Sequence, residues 1–189
     1  MSKSILNTIL NKSKDNKELV TLWQYDSDKS SYVGYVLETS KEHLTFKHYT
    51  SFGKCDGLIV IRIANIKTVD FNDDYTRVME CVIQYSSIFD EPSDFELNIG
   101  FTENWQYDSL QKLAQSKNQV ASFEINGGDY YTGFVSEISD EDFILKCIGN
   151  NGEDHGTAVY KIEDITEIKI NDLDNRRRLL LYNWRKASL

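Results

Sequence analysis

Proline is almost missing from this sequence: Pro92 is the only one in 189 residues. Long apolar runs are missing as well. Nothing approaches the ~20 consecutive apolar residues that a membrane span needs, so no membrane partner is expected. The opening stretch MSKSILNTILNKSKDNK carries short apolar pairs at helical spacing, interrupted every few positions by polar residues, and has no secretory h-region. Cysteines are few. Cys55, Cys81 and Cys147 are odd in number and include no C-x-x-C pair, which suits neither a disulfide framework nor a thiolate zinc site and fits a reducing cytoplasm. Low-complexity stretches are absent, and Ile, Leu, Val, Tyr and Phe recur throughout, so a folded chain is expected. Positive charge is also in deficit. A net charge of -9 argues against a general nucleic-acid binder.

That charge is unevenly placed. From Asn175 onward the bases Arg176, Arg177, Arg178, Arg185 and Lys186 face no acid, so the tail carries about +5 and the remainder about -14. Such a tail reads as a solvated helix end, or as one that docks on the acidic body or on a partner.

What the chain has in abundance is itself. YVGYVLETSKEHLTFK begins at Tyr32 and YTGFVSEISDEDFILK at Tyr131, an offset of 99. The same offset pairs Gly34 with Gly133, Val36 with Val135, Glu38 with Glu137, Ser40 with Ser139, Glu42 with Glu141 and Lys47 with Lys146. It continues through Gly53/Gly152, Gly57/Gly156, Ile63/Ile162, Ile66/Ile165, Asp73/Asp172 and Arg77/Arg176. About fifteen of roughly forty-six positions are identical without a gap, where chance gives about three. Upstream, a one-residue difference in loop length resumes the match as Val20/Val120 and Trp23/Phe123. The chain is a tandem duplication, and a period near a hundred makes each copy a domain rather than a solenoid unit.

Within the first copy, VTLWQY, YVGYVLET, HLTFKHY, LIVIRI and IKTVDF alternate as strands do. Five strands of about five residues joined by short turns suit a small closed barrel. Gly34 lies mid-strand, where it permits a sharp bend; Gly53 and Gly57 permit positive φ in the loop between the third and fourth strands. Helices flank each barrel. Ile5, Leu6, Ile9 and Leu10 precede the first, and Leu110, Leu113 and Ala114 precede the second. Tyr75, Val78, Val82, Tyr85 and Phe89 follow at helical spacing, matched by Leu180, Leu181 and Trp184. The expected architecture is mainly β with flanking α-helices: a helix-barrel-helix repeat over 1–89, a connector over 90–101 holding Pro92, and a second repeat over 102–189. Phe95, Leu97 and Ile99 alternate within the connector and could pair as an extra strand.

DGLIVIRIANIKTVDF resembles the second motif of the Sm-like (LSm) family, a glycine followed by alternating apolar residues, an arginine and an asparagine. Gly57, Ile59, Ile61, Arg62, Asn65 and Ile66 fall on that pattern, and the second copy keeps Gly156, Lys161 and Ile165. The stretch from Gly34 through Leu44 and Phe46 is similar to the first motif. The resemblance implies two tandem five-stranded Sm-like/SH3-like small barrels that self-associate through exposed edge strands, the two barrels pairing with each other or several chains forming a ring. RNA-binding members of the family hold a base with an asparagine of the first motif and an arginine-glycine pair of the second. Here the asparagine position is Leu44 or Thr45, and Phe143 or Ile144 in the second copy; Ile63 follows Arg62 and Ile162 follows Lys161. An RNA or single-strand reading therefore draws on Arg62, Lys161 and Thr45 with the tail residues Arg176, Arg177 and Arg178, and the departures and acidic charge disfavour it.

No catalytic motif of the P-loop, G-x-S-x-G, G-x-G-x-x-G or H-E-x-x-H kind is present. His43 and His48 are five apart in a strand, which sends them to opposite faces; His155 beside Asp154 reads as surface polarity. Tyr25, Tyr32, Tyr35, Tyr49 and Phe52 could rim one barrel end as a cage for methylated cations, but read more simply as cover for a small core. The expectation is a non-catalytic, cytoplasmic interaction or assembly module with no cofactor or metal. Its partners are expected to be further copies of itself or another protein, with RNA as the alternative.

Overall fold

In the computed structural model, which describes residues 4–25, 31–90, 103–116 and 118–187, the chain is mainly β, with two five-stranded antiparallel sheets and four helices among the described residues. It divides into two units, 1–86 and 87–189. The connector expected over 90–101, with Pro92 and the alternating Phe95, Leu97 and Ile99, lies outside the described residues from position 91 onward.

The first unit runs α1 (Ile5–Asn16), β1 (Val20–Gln24), β2 (Ser31–Thr39), β3 (His43–Tyr49), β4 (Cys55–Arg62), a 3-10 turn (Ile63–Asn65), β5 (Ile66–Phe71) and α2 (Asp74–Gln84). The second repeats the order with α3 (Trp105–Gln115), β6 (Ala121–Ile125), β7 (Tyr130–Ile138), β8 (Asp142–Ile148), β9 (Asp154–Lys161), a 3-10 turn (Ile162–Asp164), β10 (Ile165–Ile170) and α4 (Leu173–Ala187). Strand order is β4-β3-β2-β1-β5 in one sheet and β10-β6-β7-β8-β9 in the other, the same arrangement twice. Among the described residues the ladder stays open. β4 and β5 each have one bonded neighbour there, as do β9 and β10, so strand pairing between described residues does not close the small barrel that the strand count suggests.

Local chemistry explains most of the repeated residues. Ser40 and Ser139 make the β2–β3 and β7–β8 turns: each hydroxyl accepts from the N–H three residues on, at 2.9 Å, and donates to the same residue's carbonyl. Asp73 caps α2 by accepting from Thr76 N at 2.7 Å, and Asp172 caps α4 by accepting from Asn175 N at 2.8 Å. The residue before each cap is an asparagine in the left-handed region, Asn72 at φ 56° and Asn171 at φ 59°. α2 stops at Gln84, and Phe89 falls in a separate 3-10 turn, so the apolar spacing that reads as one helix spans two elements.

Each sheet buries one face against the helix that precedes it and the other against the helix that follows. Leu10 of α1 joins Val20, Leu22, Val36, Leu44, Phe46, Ile61 and Ile66 in the first core. Met79 of α2 meets Leu19 and Val33 on the far side of the sheet. In the second unit Leu110 and Leu113 meet Phe123, Phe143, Leu145 and Ile165, while Tyr182 covers Val120 and Ile148. Side chains of this size each contribute roughly 1.5–3 kcal/mol when fully buried.

Pairing registers correct the alignment of the first strands. Val20 faces Gly34 and Phe71, while Ala121 faces Gly133 and Ile170. Leu19, Val20, Thr21 and Leu22 therefore correspond to Val120, Ala121, Ser122 and Phe123, one residue away from the match Val20/Val120. The slip matters because neighbouring strand residues point to opposite faces. Leu22 and Phe123 are both fully buried.

The structure gives Gly34 a steric reason rather than a bend. A Cβ there would stand 1.9 Å from the Lys47 carbonyl oxygen. Close approach of β3, not an unusual φ, requires the glycine. Gly53 and Gly57 do take positive φ, at 72° and 92°, as do Gly152 and Gly156 at 79° and 78°.

Candidate functional site

The outer strand β4 carries the most exposed large apolar side chains on the first sheet. Ile59 and Ile61 turn inward to the core, and their neighbours Leu58 and Val60 are 64% and 69% exposed. The counterpart β9 has Val159 at 65% exposed, but Thr157 replaces Leu58. Alternation alone hides this, since LIVIRI is apolar on both faces. The polar Thr157 in the repeat was the available signal that this face is not core.

Backbone geometry leaves the same strand open. β4 pairs with β3 in a register that sets Leu44 opposite Ile61 and Phe46 opposite Ile59. Ile63 N donates to Glu42 O at 2.8 Å, one step beyond that ladder. Bonded pairs alternate with unbonded ones along an antiparallel ladder, so they fall on Ile61 and Ile59. The amides and carbonyls of Leu58, Val60 and Arg62 then face away from β3. Toward its start the strand is interrupted by a shift in register between Lys47 and Tyr49, where Gly57 has its positive φ. Asp56, just before it, lies 3.3 Å from His48.

The basic residues named for a nucleic-acid site are divided between the two units. Arg62 ends β4, exposed, opposite His43; Thr45 lies two residues along β3, opposite Val60, half-buried. Lys161 ends β9 opposite Asp142, and its amine is 3.6 Å from Glu163. Around it is an open hollow of about 510 Å³ lined by Asn104, Gln106, Asp140, Glu141 and Glu163. That volume would admit a nucleobase, but the carboxylates repel a phosphate.

The arginines of α4 do not form a solvated helix end. Arg177, only 9% exposed, donates to Asn150 O at 2.7 Å, and Arg178 donates to Ile148 O at 2.9 Å. Arg185 donates to Asn151 O at 2.8 Å and lies 4.0 Å from Glu153. Arg176 donates to the Ile88 carbonyl. Three arginines thus clasp the β8–β9 loop. Burial pushes the Arg178 guanidinium below its ordinary pKa, and carbonyl acceptors offset part of the cost of leaving water. In the first unit the fully buried Val78 stands where Arg177 does.

The aromatic residues are divided between faces. Tyr32 meets His48 edge-on at 5.3 Å beside the first core, while Tyr35 and Tyr49 meet at 5.8 Å with Tyr35 beside Met79. Tyr25 is largely exposed. They do not form one cage. Tyr160 is pushed up to about 12 by burial, with the Cys147 thiol beside it adding to the shift. Burial likewise raises Cys147. No group of three or more metal-ligating side chains occurs among the described residues, and no described helix is long and apolar enough to cross a membrane.

No protein-family model, curated protein or solved structure matches this chain.

Proposed function

We propose that the chain is a non-catalytic assembly module of two Sm-like small barrels, working through its outer strands. The strand order, the 3-10 turn linking the last two strands of each sheet and the helix whose leucines enter each core support that reading. The observation that carries it is β4: an edge with one bonded neighbour among the described residues, bearing exposed Leu58 and Val60. An open apolar edge is a template for another strand, which native proteins usually blunt with charge or cover.

Light scattering on the full chain over a concentration series tests this. A mass above that of one chain, rising with concentration, is the expected result; a single-chain mass throughout contradicts it. In the same preparation, U-rich and A-rich oligonucleotides should give no mobility shift. A shift that weakens with salt and is lost in Arg62→Ala would instead favour nucleic-acid binding.

A further inference from the structure

We infer that β4 pairs with β4 of a second copy, antiparallel about a two-fold axis, with Ile59 facing Ile59 of its mate. This rests on the assembly reading above and specifies its partner and register.

Parity limits the choices. The open side of β4 presents the backbone groups of Leu58, Val60 and Arg62, so an antiparallel mate must set these against one another to form bonded pairs. Three symmetric registers near the strand centre satisfy that. With Leu58 opposite Leu58, Val60 falls at the Asp56–Gly57 bulge of the mate. With Val60 opposite Val60, Leu58 faces Arg62. Only with Leu58 opposite Val60 are both apolar side chains matched, twice over by symmetry. The four then form one continuous apolar strip on the exposed face.

Charge supports the same register. The strand has Asp56 near its start and Arg62 at its end, so antiparallel pairing brings each arginine to the Asp56–Gly57 bulge of its mate. Asp56 is 61% exposed even with His48 beside it, and a Cβ at Gly57 would meet nothing within 4 Å, so the bulge has room for an incoming side chain. The second unit lacks this self-complementarity. In β9, Thr157 takes the place of Leu58, and Lys161 already lies beside Glu163.

Sedimentation of the full chain and its variants tests the pairing. Val60→Lys should raise the dissociation constant about tenfold, because symmetry makes one substitution break two cross-strand pairs. Val60→Thr, which keeps strand propensity, should weaken association less, and Val159→Lys should leave it unchanged. Register is tested by disulfide trapping in a Cys55→Ser background. Leu58→Cys chains mixed with Val60→Cys chains should cross-link, and Val60→Cys chains alone should cross-link poorly. A dissociation constant unchanged by Val60→Lys, or raised as much by Val159→Lys, overturns the pairing while leaving the assembly reading in place. Absence of association in the unaltered chain overturns both.

Discussion

Gly34 passes under the backbone of Lys47 so closely that a Cβ would stand 1.9 Å from the carbonyl oxygen, and Gly133 stands in the same relation to Lys146, at 2.0 Å. The obstacle is backbone, which cannot rotate aside as a long side chain can. Gly34→Ala and Gly133→Ala should each destabilise the unit that holds them by about 3 kcal/mol. Urea titration followed by circular dichroism would show the midpoint falling; an unchanged midpoint would mean that the strands do not cross there.

Thr21 and Ser122 occupy equivalent positions with opposite fates. Ser122 Oγ is 2.8 Å from Thr132 Oγ1 and donates to Asn175 Oδ1 at 2.7 Å, whereas the buried Thr21 Oγ1 has no hydrogen-bond partner among the described residues. Thr21→Val should therefore be neutral or stabilising by up to about 1 kcal/mol, and Ser122→Ala should cost about 1–2 kcal/mol. Thermal melts of the two variants check the contrast in sign.

The arginine clasp gives a local prediction. Arg177→Ala removes a charged donor from the Asn150 carbonyl, which should cost about 2 kcal/mol and speed amide exchange across residues 149–153. Exchange in the first unit's loop at 50–54 should not change.

Tyr160 supplies a pH dependence. Its pKa is pushed up from 10.0 to about 12, so the native state keeps a proton that the unfolded chain has lost. Stability from this group is present below pH 10 and declines as pH rises through 12. Denaturant midpoints measured across that window should fall less steeply in Tyr160→Phe.

Much of this architecture is legible in the letters because it depends on local periodicity. The alternation from Tyr32 to Phe71 places four strands, and the offset of 99 places their copies. Turn chemistry is equally local, which is why Gly53, Gly57 and their partners could be assigned positive φ. What escapes is set by contacts distant in sequence. Val20 matches Val120 in identity, yet strand pairing aligns it with Ala121. The tail arginines read as solvated because no periodicity shows that loop carbonyls some thirty residues earlier await them. The exposure of Leu58 and Val60 is not legible in LIVIRI, because it depends on which strands lie beside β4.

Amide exchange at Leu58 and Val60, followed as a function of protein concentration, tests the central claim most directly. Their N–H groups face the open side of β4 and should exchange quickly in a dilute single chain. If edges pair, both amides become protected as concentration rises, while Thr157 and Val159 of β9 do not. Exchange at one rate over the whole concentration range would contradict the account.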